Sequence, residues 1–349
     1  MNKFSTPAGT AQPASTMDQN PAIQSTRRDR YFFVVMAVLF PILVLLGFVP
    51  DYQVILSGEV KVHWFTHVHG AIMTAWLGVF LMQSVLAVRG KLALHRKLGL
   101  LSVGLGVLVW LTMGIVTFRA LIGNNPPMAD GQFDILFIQL YGMLLFGVFF
   151  TWGILVRKNG ASHKRLLLLA TLVIMQAAID RIRFLPGIQA GVFPRFLYLD
   201  ALLIPLFIYD WLMFRRIHTI TGLGLLLIGS LQVGIILGWE SPVWHQFWFN
   251  RISPFVEQVV EVKLSNAQTA PLLGDYGDKT WHMTVSHVDS LLYLQLPGQP
   301  RLELGAISDT RLFVRTINWK LLFVKGPDGR VTKVINDQIS IVWEARRLK

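Results

Sequence analysis

The chain has 349 residues, of which 53% are hydrophobic and only 15% charged, with a formal charge of +12 and no cysteine. A soluble domain carries about 25% charged residues, so the composition points away from an ordinary soluble enzyme. The lack of cysteine excludes disulfides, thiolate metal sites and cysteine nucleophiles.

Residues 1–26 are rich in Ser, Thr, Ala, Pro and Gln and lack an apolar core. They read as a disordered cytoplasmic tail, taken as far as residue 30, and not as a cleavable signal peptide. Apolar runs follow at 31–49, 68–88, 98–118, 135–156, 166–184, 196–214 and 221–239. Most are about 20 residues long, which at about 1.5 Å per residue crosses a hydrocarbon core of roughly 30 Å. Backbone amides in lipid must be satisfied within their own segment, so the runs predict seven transmembrane helices. Pro41 and Pro205 lie inside two of them, as membrane helices tolerate.

The basic residues alternate. Arg27, Arg28 and Arg30 precede the first run; Arg89, Lys91, Arg96 and Lys97 follow the second. Arg157, Lys158, Lys164 and Arg165 follow the fourth, and Arg215 and Arg216 the sixth. The intervening loops hold only Lys61, Arg119, Arg181, Arg183 and Arg195. This asymmetry predicts a cytoplasmic N-terminus and, after seven crossings, an extracytoplasmic C-terminus in a bacterial inner membrane. It also accounts for the positive charge without nucleic acid.

After Trp239 the composition changes. Segment 241–270 reads as an interfacial linker, with Trp244, Phe247, Trp248 and Phe249 as an aromatic belt; within it, 255–264 is a strand or a short helix. Short β-rich segments then follow at 281–286, 291–296, 301–304, 311–315, 319–325, 330–335 and 339–345, with Pro327-Asp328-Gly329 as a hairpin turn. The expected fold is an α-helical polytopic membrane bundle over 31–240 plus a small C-terminal antiparallel β domain, sheet or barrel, over 271–349.

The stretch Leu294-Gln295-Leu296-Pro297-Gly298-Gln299-Pro300, then Leu302, Leu304, Phe313, Leu322-Phe323-Val324, Asp328-Gly329-Arg330-Val331-Thr332 and Ala345-Arg346-Arg347, resembles one known module. It is similar to the C-terminal accessory domain of beta-lactamase-related serine hydrolases. That resemblance implies a lipocalin-like barrel outside the cytoplasm. It implies no activity, because Ser-x-x-Lys, Lys-Thr-Gly and Gly-x-Ser-x-Gly are all absent from the sequence. His67-Val68-His69-Gly70, His95-Arg96-Lys97-Leu98-Gly99, Ser162-His163-Lys164-Arg165-Leu166 and Arg215-Arg216-Ile217-His218 resemble a broad group of uncharacterised bacterial multi-pass membrane proteins, which implies topology alone.

Ionisable residues in or near membrane spans carry the functional expectations, since each costs about 2.5–3.5 kcal/mol at the bilayer centre on insertion scales. An outer cluster comprises His63, His67, His69, Asp180, Arg181, Arg183 and Asp200, with Asp200 expected to pair with Arg181 or Arg183. A cytoplasmic cluster comprises His95, His163, Asp210 and His218. His63, His67, His69, His95 and His163 are alternative ligands for haem b or a metal, although the outer set has no second histidine from another membrane run to complete a bis-histidine haem, since His245 lies beyond the seventh run. Glycines 104, 106, 114, 222, 224, 229 and 234 are expected at close helix contacts. Phe149, Phe150 and Trp152 are packing residues or, less directly, the wall of a quinone or carotenoid pocket.

Three functions fit. The first is a non-catalytic membrane protein whose external β domain binds a ligand or a protein, with the bundle as anchor and relay. The second is a haem-binding membrane oxidoreductase or electron-transfer protein. The third is a small-molecule transporter, without a clear inverted repeat.

Overall fold

The computed structural model describes residues 21–58, 60–122, 130–188, 191–256, 260–277, 282–289, 291–297, 299–316, 319–338 and 341–348. Most of the expected tail lies outside the described residues. Residues from Pro21 onward belong to the first helix, α1 (Pro21–Leu56). Then come α2 (Trp64–Val88), α3 (Leu92–Ile122) and α4 (Asp130–Leu155). The fifth span is broken into α5 (Gly160–Val173) and α6 (Gln176–Ile179), and the sixth into α7 (Val192–Ala201) and α8 (Ile204–Phe214). The seventh is α9 (Thr219–Gly238). Seven helical segments are long and apolar enough to cross a membrane, and the chain is a multi-pass membrane protein.

The fifth span is the centre of the bundle: 72% of its most apolar window is buried, against 17% for the second and third spans. It packs against Phe33, Phe40, Trp76, Phe146 and Phe150 in one continuous core. Glycines allow the closest approaches. A Cβ on Gly47 would stand 2.3 Å from the Ala178 carbonyl oxygen, so α1 lies directly on α6 there.

A short helix, α10 (Pro242–Ile252), carries the aromatic belt. It folds back on α4: the Trp244 ring stacks on Phe137 at 3.6 Å, and its Nε1 donates to the Phe133 carbonyl at 2.7 Å. His245 donates from Nε2 to Asp134 at 2.9 Å, which also accepts from the Glu240 amide. Of the ambiguous 255–264 segment, the described residues form neither strand nor α-helix, and Val262 donates to the Ala306 carbonyl.

After α11 (Asn266–Thr269) the chain forms an eight-stranded antiparallel barrel. The strands are β2 (Gly274–Gly277), β3 (His282–Val288), β4 (Leu291–Gln295), β5 (Leu302–Ala306), β6 (Arg311–Val314), β7 (Lys320–Lys325), β8 (Val331–Asp337) and β9 (Ile341–Arg347). Each pairs with the next, and β9 closes on β2 through Tyr276↔Arg347 and Gly277↔Arg346. Alternating side chains fill the interior: Tyr276, Met283, Leu294, Leu312, Phe323 and Val334 are at most 1% exposed. Burial pushes the Tyr276 phenol up to about 12, so it stays protonated and donates to the Leu272 carbonyl at 2.8 Å. The expected hairpin forms at Gly329, whose φ of 73° suits glycine.

One strand comes from outside the barrel. Val60–Val62, between α1 and α2, is β1, and it pairs antiparallel with β9 from Val60↔Trp343 to Val62↔Ile341. Along that edge of β9, β2 covers Arg346 and Arg347, and β1 covers Ile341 to Trp343. The membrane domain therefore adds a strand to the barrel's seam, and the two are joined at two points of the chain.

Candidate functional site

The bundle has a barrel face, where α2 and α7 begin, and an opposite face, where α3, α5 and α9 begin. On the opposite face Arg165 and Asp210 form an ion pair with both side chains fully buried. Arg165 donates through Nη2 to Asp210 Oδ1 at 2.5 Å and through Nε at 3.1 Å. The other carboxylate oxygen accepts from Thr221 Oγ1 at 2.6 Å and from the His218 amide at 3.0 Å. Tyr209 and Phe214 lie against the guanidinium, each with its ring centre 5.4 Å away. Asp210 has no unsatisfied oxygen, and the cluster ties α5, α8 and α9 together. Burial and the nearby Arg165 charge hold the His218 imidazole below its ordinary value. Neutral His218 caps α9 by accepting the Ile220 amide on Nδ1. Of the cytoplasmic cluster, Asp210 and His218 are thus structural, and Arg165 is the partner that the sequence reading placed among topogenic charges.

His95 and His163 stand apart from that cluster and beside each other, with ring centres 6.4 Å apart and planes at 88°. His163 donates from Nδ1 to the Gly153 carbonyl at 2.8 Å. His95 Nδ1 lies against Gln83, whose side-chain amide, in its satisfied orientation, donates to it at 2.6 Å and accepts from Ser102 and Gly99. These bonds orient both rings. A porphyrin between them would need a wide slot, and neither of the two cavities described below is lined by either histidine.

The barrel-face cluster is not assembled as expected. Arg181 and Arg183 both engage Asp51 at the end of α1, at 3.3 and 3.1 Å, and not Asp200. The turn that ends α6 points them back over α1. Asp180 accepts from Gln176 Nε2 at 2.7 Å. His63 caps α2 through Nδ1, which also faces Arg119 Nη1 at 2.6 Å. His69 is bonded through Nδ1 to Thr112 at 3.1 Å, and His67 packs against Tyr52. Among the described residues, no three His, Asp or Glu side chains converge as a metal site.

Asp200 lies deeper, at the break between α7 and α8. It is half-buried, and its Oδ1 accepts from Gln232 Nε2 at 2.9 Å. The same amide nitrogen donates to Tyr141 Oη at 3.2 Å. This three-residue chain crosses the bundle from α7 through α9 to α4, and a cavity lies at each end. Asp200 and Gln232 line a pocket of 370 Å³ between α8 and α9. Tyr141 lines a groove of 1010 Å³ among α3, α4, α9 and α10.

The groove is walled almost entirely by apolar and aromatic groups, Trp110, Phe150, Trp152 and Trp244 among them. Along α4 it runs from Phe137 to Leu155, about 27 Å at helical rise, close to the thickness of the hydrocarbon core. Of the glycines expected at helix contacts, Gly106 and Gly224 are such contacts, with a Cβ standing 2.3 Å from Phe150 and 2.4 Å from Leu169. Gly229 and Gly234 are not: nothing lies within 4 Å of their Cβ positions, and they line the pocket and the groove. A glycine reports missing volume; the sequence does not say whether a neighbouring helix or a ligand takes it. Gln232 and Tyr141 also escaped the sequence reading, although a glutamine within an apolar run requires a partner.

No protein-family model matches this chain, and no curated protein matches it. The functional reading rests on the geometry.

Proposed function

We propose that this chain is a non-catalytic membrane protein that holds an apolar lipid-like molecule within its helical bundle and presents its barrel to a protein partner. The observation that carries this reading is the groove along α4, mostly apolar over the length of a lipid chain, with the buried Tyr141 hydroxyl at its wall. Tyr141 is 4% exposed, its oxygen already accepts from Gln232, and among the described residues its own proton meets no acceptor. A carbonyl or hydroxyl oxygen of the bound molecule would take it. Trp110 is held by its own bond to the Met143 carbonyl at 3.1 Å, so it serves as a fixed apolar wall.

The packed interior of the barrel favours contact through its outer surface, with β1 tying that surface to the bundle. The eight-stranded form supports the resemblance to the hydrolase accessory module. The basic residues gathered on the face opposite the barrel support a bacterial inner-membrane protein with its barrel outside. A reporter active only outside the cytoplasm, fused after Lys349, tests that orientation.

Solvent extraction of the purified full chain, followed by mass spectrometry, tests the groove. Wild-type protein is expected to carry one class of apolar, oxygen-bearing lipid near one per chain. Tyr141→Phe removes one hydrogen bond of about 0.5–1.5 kcal/mol, so retention falls by roughly two- to tenfold. A Gly234→Leu chain, with its groove filled from a position that meets nothing within 4 Å, that retains the same lipids in the same amount would sink the reading.

A second reading places haem b at His95 and His163. Two imidazoles on one iron, each at about 2 Å, have ring centres roughly 6 Å apart, as this pair does. It requires the backbone to open for the macrocycle. An optical spectrum of protein from haem-replete cells, oxidised and then reduced, decides it: without a Soret band the reading fails.

A further inference from the structure

The pocket on the other side of α9 has a different chemistry from the groove. Its walls are Leu203, Ile204, Phe207, Leu225 and Ile228, with Gly229 leaving room, and its polar end is Asp200 with Gln232. We propose that it is a binding site for an organic ammonium ion, a primary amine with an apolar body, whose charge is taken by the Asp200 carboxylate at the break in the sixth span.

Three observations converge on a cation. First, Asp200 sits inside a membrane span with a neutral amide as its hydrogen-bond partner, and among the described residues no Lys, Arg or His forms an ion pair with it. The cations expected to neutralise it, Arg181 and Arg183, belong to Asp51. Second, the span is interrupted beside it: α7 ends at Ala201 and α8 starts at Ile204. The residue four beyond Ala201 is Pro205, which has no N–H to give that carbonyl. The negative end of the α7 dipole, a carbonyl without its helical donor and a carboxylate therefore meet at one place. Broken membrane helices present cation sites in this way. Third, Asp200 Oδ2 makes no hydrogen bond among the described residues, so the carboxylate keeps an acceptor for the ligand.

The walls select the kind of cation. A bare metal ion asks for about six oxygen ligands, whereas this site offers few oxygens and a mostly aliphatic enclosure. At 370 Å³ the pocket lies at the small end of the range for organic ligands, about 300–1000 Å³. Phe207 gives it an aromatic wall, which also favours a cation. Ile204, 55% exposed on the outside of the bundle, forms one side, so the entrance is lateral, from the bilayer. The amine would arrive in the membrane with its apolar body leading.

This site is separate from the groove, and its test is separate too. Thermal unfolding of the full chain in detergent is followed by tryptophan fluorescence with n-octylamine or with n-octanol, which has the same chain and no charge. Octylamine is expected to raise the wild-type Tm above the octanol value in a saturable way. In Asp200→Asn the half-saturating concentration is expected to rise at least tenfold. In Ile204→Trp, which keeps the carboxylate but fills the pocket, the amine-specific shift is expected to vanish; this variant also serves if Asp200→Asn does not fold. Gly234→Leu, which fills the groove and leaves the Asp200–Gln232 pair alone, should respond to octylamine as the wild type does. Equal shifts with amine and alcohol in the wild type, or an unchanged amine response in Asp200→Asn or Ile204→Trp, would overturn the proposal. A groove that yields no lipid would leave this result untouched.

Discussion

The two halves of the broken sixth span each hold an aspartate, in opposite circumstances. Asp210 is completely enclosed, and both its oxygens are used by Arg165, Thr221 and the His218 amide. Asp200 is half-buried, leans on one amide and borders a cavity. A carboxylate in a membrane span costs free energy unless it is compensated. At Asp210 the protein supplies the whole compensation from its own side chains, and the result joins three helices. At Asp200 it supplies part and leaves space beside it. The comparison separates a charge kept for architecture from a charge kept for a ligand, and it can be attacked from both sides.

The largest expected effect is at the closed end. Arg165→Met leaves Asp210 buried without its cation, and Asp210→Leu leaves Arg165 likewise; breaking such a pair costs about 3–5 kcal/mol. Each single variant should melt far below wild type in detergent. The double variant removes both charges together and should recover most of the loss, because buried pairs replaced by apolar side chains are often neutral. A double variant no better than the singles would mean that the Thr221 and His218 bonds, not the ion pair, hold this end.

Next come the glycines. Gly224→Ala would drive a methyl to within 2.4 Å of Leu169 at the buried fifth span, an overpacking error of about 1–3 kcal/mol. Gly234→Ala meets nothing within 4 Å and, with the better helix propensity of alanine, should be neutral or slightly stabilising. The difference between their melting temperatures measures which glycines are contacts and which are cavity walls. Equal losses would mean that the groove beside Gly234 is closed in solution.

A smaller effect is expected at the seam between bundle and barrel. Lys61→Pro puts a residue with no N–H and a fixed φ at the centre of β1, opposite Val342. The barrel keeps its eight strands and its own core, so its melt should move little. Amide exchange confined to 341–343 should accelerate. If exchange accelerates through all of β8 and β9, then β1 is part of the barrel's cooperative unit and residues 271–349 do not fold as an independent domain.

Much of this was legible in the sequence because the bilayer imposes a simple rule. Seven stretches of about 20 apolar residues have no other use, and alternation with turn residues places the strands at His282–Val288, Leu291–Gln295 and Arg311–Val314 to within a few positions. The misses share one cause: each depends on a residue distant in sequence. Lys61 and its neighbours read as loop because their strand partner is Val342. Arg165 read as a topogenic charge because Asp210 lies 45 residues away. Asp200 reads as a partner of Arg181 or Arg183 on the same side of the membrane, but the turn after α6 carries those to Asp51. Periodicity carries information within a segment; the pairing of charges between segments requires the packing.

The smallest expected effect on stability completes the comparison. Asp200→Asn gives up a charge-assisted bond with Gln232, worth about 1.5–3 kcal/mol. It also removes the penalty of a carboxylate in hydrocarbon, about 2.5–3.5 kcal/mol at the bilayer centre and less toward either face. The two nearly cancel, and the isosteric asparagine can still accept from Gln232 through its amide oxygen. The variant should therefore melt within about 1 kcal/mol of wild type, on whichever side, while Arg165→Met loses several times as much. Tm shifts of the two variants, measured side by side without added amine, give the ratio. If Asp200→Asn costs as much as the loss of Arg165, then Asp200 is held by compensation as complete as that of Asp210, and the cavity beside it has no claim to a cationic guest.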